Sequence, residues 1–316
     1  MSHEIWTEKY RPQQFNEIVG QKKIIQRVES FVKENNLPHL LFSGPAGVGK
    51  TTLSLVIAKS LYGENWRQNF LELNASDNRG IDVVRNEIKN FARTKSIANI
   101  EYKTIFLDEC DALTKEAQQA LRRTMENYAR TCRFILSCNF PSKIIDPIKS
   151  RCSICKFTPL KKEDIEKMID RLAQKENLTI NNEAKETLYD STEGDVRKLI
   201  NILQSCAATT KEITEQHVKE ITQQGNTKDI QELLLLTKNK DFINARKKLS
   251  QIMLYQGLTG LDIIKAIIKE LNMYDVAEEA KLTIIERCGE TEFRISEGSD
   301  EYIQMEALIA SIIKCS

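Results

Sequence analysis

The spacing of apolar and polar positions changes rhythm about midway along the chain. In the first half, apolar-rich runs at 40–43 (LLFS), 70–74 (FLELN), 104–107 (TIFL) and 133–137 (RFILS) predict strands. Amphipathic stretches at 50–61, 82–94 and 115–128 predict the helices between them. Strands that alternate with helices imply a parallel sheet covered on both faces, because each parallel crossover needs a helix to carry the chain back. After Pro159 the strand-like runs fade and apolar residues recur three and four apart, as in Ile165, Met168, Ile169 and Leu172. That part is predicted helical. The polar stretch 222–228 (TQQGNTK) reads as a linker before a second helical block running to Ser316. The predicted division is therefore 1–160, 161–226 and 227–316.

Composition narrows the picture by exclusion. At 41% hydrophobic and 29% charged residues, the 316-residue chain has enough apolar material for two or three buried cores, which excludes a disordered or collagen-like polymer. Forty-six Lys and Arg against forty-five Asp and Glu leave a net charge of +1, so any nucleic-acid contact must come from local clusters of cations. Residues 1–10 carry Glu4 and Glu8 and no signal-peptide core, and no eighteen-residue apolar run occurs anywhere. A soluble intracellular protein is expected. Its eight cysteines then read as reduced core residues. The lone Cys152-x-x-Cys155 pair has no second pair, and His3, His39 and His217 are all remote from it, so a structural zinc is not expected.

Residues 44–51 read Gly44-Pro45-Ala46-Gly47-Val48-Gly49-Lys50-Thr51, between an apolar strand and an amphipathic helix. Glycines let such a backbone curl until its N–H groups face a polyphosphate at the positive end of the following helix. Lys50 would reach the β- and γ-phosphates, and Thr51 would coordinate Mg²⁺, with Thr52 beside it. The architecture is thus an α/β nucleotide-binding domain. Further on, the strand 104–107 delivers Asp108-Glu109-Cys110-Asp111. A solvated acidic turn is the plainer reading of that tetrad. With a phosphate loop upstream, Asp108 fits as the Mg²⁺ holder and Glu109 as the group that polarises the attacking water. Asn139 ends the next strand, where its amide either senses the γ-phosphate or starts the turn before Pro141. Arg151 and Arg197 are candidates for offsetting charge in phosphoryl transfer, although spacing alone places neither beside a phosphate.

In this order, the phosphate loop, the acidic box, Asn139, Ser150-Arg151-Cys152 and Gly194-Asp195-Val196-Arg197 resemble AAA+ clamp loaders. More narrowly, the chain resembles the small-subunit family of replication factor C in its archaeal form. Trp6-Thr7-Glu8-Lys9-Tyr10-Arg11-Pro12, the segment 74–81 (NASDNRGI) and the segment 119–126 (QALRRTME) are similar to that family's boxes. The resemblance covers the ATPase core and lid; for the last ninety or so residues only length and helical texture speak. It implies an α/β P-loop AAA+ core with a helical lid, followed by an all-α collar that fixes a five-subunit ring. The implied activity is Mg²⁺-dependent ATP hydrolysis that opens a sliding clamp (PCNA) and places it on primer-template DNA, alongside a large subunit and other small subunits and away from membranes. The compartment implied is the cytoplasm for an archaeal chain and the nucleus for a eukaryotic one. Arg151 would act in trans on the neighbouring subunit's ATP, Arg197 in cis as second sensor and Asn139 as first. Tyr10, Arg11, Pro12, Val19 and Gly20 would enclose adenine and ribose.

The resemblance also turns Arg79, Arg85 and Lys89, otherwise an ordinary basic face, into candidates for DNA-backbone contact. Cys110 stands where the family often has alanine, and Phe140 where it often has tyrosine; both leave the carboxylates and Asn139 intact. Two other readings compete. One is a AAA+ DNA motor such as a branch-migration protein, which normally adds a DNA-reading domain that the apolar helices of the last block do not suggest. The other is a scaffold subunit that binds ATP without turnover, against which Lys50 and Glu109 argue.

Overall fold

The computed structural model describes residues 5–76, 84–94, 102–222, 227–255, 258–271, 274 and 276–315. The chain parts into two compact units, Met1–Val218 and Lys219–Ser316.

In the first unit, among the described residues, five parallel strands form one sheet: β1 (Leu40–Ser43), β2 (Phe70–Asn74), β3 (Lys103–Asp108), β4 (Cys132–Cys138) and β5 (Ser153–Lys156), in the order β2-β3-β4-β1-β5. The central strands are buried on both faces, as their near-continuous apolar runs require. Alternation sorts them into two cores. Leu40, Phe42, Phe106 and Ile135 face one layer with Val28 and Ile57, while Leu41, Ile105, Leu107, Phe134 and Leu136 face the other with Leu121 and Met125. β5 has no counterpart among the predicted strands: only Ile154 and Cys155 are apolar in its SICK sequence, and it is an edge strand in which Cys155 alone is buried.

Helices cover the sheet where the sequence places them. Lys50–Tyr62 starts directly from the loop after β1 and buries Leu53, Leu55, Val56, Ile57 and Ala58. Lys115–Asn127 begins at Thr114, whose hydroxyl accepts the Ala117 N–H at 3.2 Å and so satisfies one of the free donors of its first turn. The predicted helix 82–94 is described over Val84–Ile88, a π-helical turn, and Lys89–Arg93, an α-helical one.

Beyond Pro159, helices Lys162–Glu176, Asn182–Thr192 and Val196–Thr209 form the lid, with a minimal parallel pair of strands, Thr179–Ile180 and Glu212–Ile213, which the helical rhythm did not announce. Asp195 caps the third lid helix by accepting the Lys198 N–H at 3.0 Å. The second unit consists of Thr227–Lys238, Phe242–Tyr255, Gly260–Glu270, Glu278–Ser296 and Glu301–Cys315, packed around Ile230, Leu233, Leu249, Ile263, Ile267, Met305 and Ile309. Leu235, Ile243, Leu254, Leu282, Phe293 and Ile303 remain exposed on it. Among the described residues no helix is long and apolar enough to cross a membrane.

Candidate active site

Because all five strands run the same way, their C-terminal ends bring the loop after Ser43, Asp108 and Asn139 to one edge, where ligands of open parallel sheets bind. A cavity of about 420 Å³ opens there. Ala46, Gly47, Val48, Gly49, Lys50, Thr51 and Thr52 form its floor, Asp108, Glu109 and Asn139 one wall, and Arg197 reaches it from the lid. Tyr10, Arg11, Pro12 and Val19 close it from the N-terminal side.

The loop is held in a curl that only glycine tolerates at its apex. Gly47 has φ +70°, and a Cβ there would sit 1.8 Å from Oδ1 of Asp195. The backbone N–H of Val196 donates to the Gly47 carbonyl at 3.1 Å, so the first turn of the third lid helix is fastened to the phosphate loop. Lys50 is buried and donates to the carbonyl oxygens of Gly44 and Pro45, each at 2.6 Å, and to Asn139 Oδ1 at 2.9 Å. Burial pulls its ammonium below the ordinary lysine value, Asp108 opposes that, and the nearby charge of Arg197 adds to it. Phosphate oxygens would be better partners for this cation than the neutral carbonyls it now uses.

Thr51 donates its hydroxyl to Asp108 Oδ2 at 2.7 Å, so two hard oxygen donors converge at the mouth of the loop. That donor set suits Mg²⁺, which takes oxygen ligands and keeps several waters of its own. Glu109 follows in the left-handed region at φ +50°, its N–H donating to Asp108 Oδ1 at 3.0 Å. Asp111 accepts the Phe140 N–H at 3.0 Å and ties the acidic box to the turn after Asn139. The thiols of Cys110 and Cys138 are both buried, and the neighbouring Cys138 together with burial pushes Cys110 up.

Three residues assigned to the nucleotide stand off the cavity wall. Gly44 and Pro45 act through the carbonyls that hold Lys50, and Gly20 (φ +73°) lies against Leu160, whose Cγ a Cβ would meet at 3.2 Å. Arg151 is also absent from the wall of its own cavity. It sits on the outer surface, donating to Pro147 O at 2.7 Å and paired with Glu126. Among the DNA candidates, Lys89 is half-buried, whereas Arg79 and the side chain of Arg85 lie outside the described residues.

The lid supplies wall residues to which the sequence assigns no site role: Met168, Arg171, Leu172, Lys175 and Ile200. Arg171 and Lys175 lie one helical turn apart, and Lys175 Nζ stands 5.2 Å from the Tyr10 ring centre. Tyr10 donates its hydroxyl to Glu176, and Lys9 pairs with the same carboxylate at 2.6 Å, so the N-terminal box is tied to the end of the first lid helix. Burial and then Glu176 raise the Tyr10 phenol.

The family models agree with this layout piece by piece. Residues 40–160 match the ATPase family associated with various cellular activities (AAA), 162–220 the RFC1-like AAA+ ATPase lid domain, and 225–311 the replication factor C C-terminal domain. Replication factor C small subunits of Methanococcus maripaludis and Sulfolobus acidocaldarius are each 49% identical, over 97% and 98% of this chain and 98% and 95% of theirs. That of Methanocella arvoryzae is 50% identical over 97% of this chain and 95% of its own. The chain belongs to the replication factor C small subunit family. It is a clamp-loader subunit with a AAA ATPase core, a domain that implies nucleotide binding. The Thermotoga maritima RuvB Holliday junction branch migration motor has a similar fold, with a TM-score of 0.55 over 83% of this chain and 85% of that one, at 18% identity. That likeness is one of fold alone, and replication factor C membership decides against the motor reading.

Proposed function

We propose that this replication factor C subunit binds ATP with Mg²⁺ in the 420 Å³ cavity and hydrolyses it only when a neighbouring subunit contributes Arg151. In this reading Lys50 and Arg197 hold the β- and γ-phosphates, and Asn139 positions Lys50 and the γ-phosphate. Glu109 orients and polarises the attacking water. Thr51 and Asp108 hold Mg²⁺, which when bound neutralises charge on the phosphates. Tyr10, Arg11, Pro12 and Val19, joined by Met168, Leu172 and Ile200, enclose the base and ribose. Gly20 sets the turn behind them.

The observation that carries this reading is the position of Arg151. Lys50, Asp108, Glu109, Asn139 and Arg197 all line one cavity, while Arg151 is turned to the surface, so the site lacks that arginine within one chain. Family membership supports the remaining assignments. Residues 1–160 would be the ATPase core, 161–226 the lid and 227–316 a collar, whose exposed apolar side chains would be covered by neighbouring collars in a five-membered ring. Arg79, Arg85 and Lys89 would follow the DNA phosphate backbone without reading sequence. ATP binding would tighten the ring on the PCNA sliding clamp and primer-template DNA, and hydrolysis would release it; in an archaeal cell this takes place in the cytoplasm.

The test is ATP turnover by the complex reconstituted with large subunit, clamp and primed DNA, each omitted in turn. Turnover should require the partner subunits and rise with clamp and primed DNA. Arg151→Ala should cut it by about 10³- to 10⁵-fold while the isolated subunit, already slow, stays unchanged. An isolated subunit at high dilution that matches the complex would end the in-trans reading, and processive unwinding of duplex DNA would reinstate the motor.

A further inference from the structure

The cluster around Arg151 contains a residue to which nothing above gives a role. Glu126 lies in the last turn of helix Lys115–Asn127, twenty-five residues before Arg151, and its carboxylate accepts from the Arg151 guanidinium. The other guanidinium nitrogen of Arg151 donates to Pro147 O at 2.7 Å and to Ser150 Oγ at 3.4 Å. Both terminal nitrogens are therefore held, one by backbone and one by charge, at a side chain that is still 36% exposed. Arg122, one turn earlier on the same helix, approaches the same Glu126 oxygen at 3.6 Å, and its Nε is buried without a hydrogen-bond partner.

We infer that Glu126 is a positioning residue for Arg151: it holds the guanidinium outward at the subunit surface, ready to meet a triphosphate on the next subunit. This rests on the in-trans reading of Arg151 and adds a residue to it. An unrestrained arginine loses much of its rotamer freedom each time it engages a phosphate. A guanidinium already held at Pro147 and Glu126 has lost part of it beforehand, which is how preorganised groups gain rate. The hold is also weak enough to exchange. Glu126 is 37% exposed, and exposed ion pairs contribute little, so a doubly charged phosphate outcompetes the carboxylate. When Arg151 moves to the phosphate, Glu126 keeps Arg122 as its counter-ion and no carboxylate is stranded. Two guanidiniums and one carboxylate leave the cluster with one net positive charge, so it still attracts an anion.

The experiment compares Glu126→Ala, Glu126→Gln, Arg151→Ala and the double variant Glu126→Ala/Arg151→Ala in the reconstituted complex. Readouts are kcat and KM for ATP, nucleotide affinity and melting temperature of the isolated subunit, and ring assembly by size. Glu126→Ala should lower kcat by about three- to thirtyfold, a range set by an exposed ion pair at one end and arginine rotamer entropy at the other. Nucleotide affinity, melting and assembly should not move. Glu126→Gln, which keeps an acceptor, should recover part of the loss. The double variant should be no slower than Arg151→Ala alone, because Glu126 acts only through Arg151. If Arg151→Ala abolishes turnover while Glu126→Ala leaves kcat unchanged or raises it, the positioning role is wrong and the in-trans reading survives. A loss from Glu126→Ala that adds in full to that of Arg151→Ala also overturns the positioning role. If Arg151→Ala itself leaves the complex unaffected, the reading beneath it fails instead.

Discussion

Replacing Gly47 by alanine probes the joint between the phosphate loop and the lid with a single methyl group. The added Cβ would lie 1.8 Å from Asp195 Oδ1 and 2.2 Å from its Cγ, far inside any tolerated contact. Gly47 itself sits at φ +70°, where an L-residue costs about 1–2 kcal/mol. The clash is relieved by turning Asp195 away, which gives up its bond to the Lys198 N–H and the cap of helix Val196–Thr209, worth about 0.5–2 kcal/mol. The two costs together come to roughly 1.5–4 kcal/mol. For a unit of this size that lowers the melting temperature by roughly 3–16 °C. Nucleotide affinity should fall as well, because the displaced lid carries Arg197 and Ile200. The decisive assay is a double-mutant cycle, read by thermal melting and by fluorescent-nucleotide titration. Asp195→Ala alone loses the cap. Gly47→Ala on that background should then show only the φ penalty, so the double variant is less damaged than the sum of the singles. Full additivity, or a Gly47→Ala protein that melts and binds like the parent, would refute the idea that the carboxylate and the loop share this space.

Two further predictions probe other parts of the first unit. Glu109→Gln should leave nucleotide affinity near normal and cut turnover of the assembled complex by about 10²- to 10⁴-fold, as measured by phosphate release; unchanged turnover would remove Glu109 from the chemistry. Burial depresses His39 to about 4, and its Nδ1 accepts the Phe134 N–H at 3.1 Å. The unfolded chain therefore takes up a proton at this residue near pH 6.5 that the folded one refuses until about pH 4. Its contribution is fully present above pH 6.5 and is lost as pH falls towards 4, about 3 kcal/mol across the window. Urea unfolding between pH 7 and 4 should show that slope, and His39→Gln should remove it; an equal slope in the variant would exonerate His39.

What the sequence made legible follows from how local each signal is. The loop 44–51, Asp108, Glu109 and Asn139 could be placed because each sits at the end of an apolar strand, and parallel strands deliver their ends to one edge. Strands 70–74 and 104–107 were visible for the same reason, the latter lying inside Lys103–Asp108. β5 was not visible, since an edge strand with alternate exposure offers only Ile154 and Cys155 to an apolar count. The lid contribution was hidden more thoroughly. Met168, Leu172 and Ile200 recur at helical spacing, which is also the spacing of ordinary core residues, and no local pattern separates an apolar side chain that meets a ligand from one that meets another helix. Arg171 and Lys175 carry no signal that separates them from other charged positions on a helix, yet the fold puts both on the cavity wall and Lys175 over the Tyr10 ring. Arg151 is the opposite case: its motif was plain, but only the structure shows that it faces away from its own cavity and leans on Glu126.

In the proposed mechanism the site around a nucleotide bound to one subunit is completed by the next. The most direct measurement is a map of the reconstituted ring trapped with a non-hydrolysable ATP analogue and Mg²⁺. The account predicts the Arg151 guanidinium within hydrogen-bonding distance of the neighbouring subunit's γ-phosphate, with Lys50 and Arg197 on the same triphosphate from the opposite side. Arg151 pointing into solvent at every nucleotide-loaded interface, with the γ-phosphate contacted by one chain only, would contradict it.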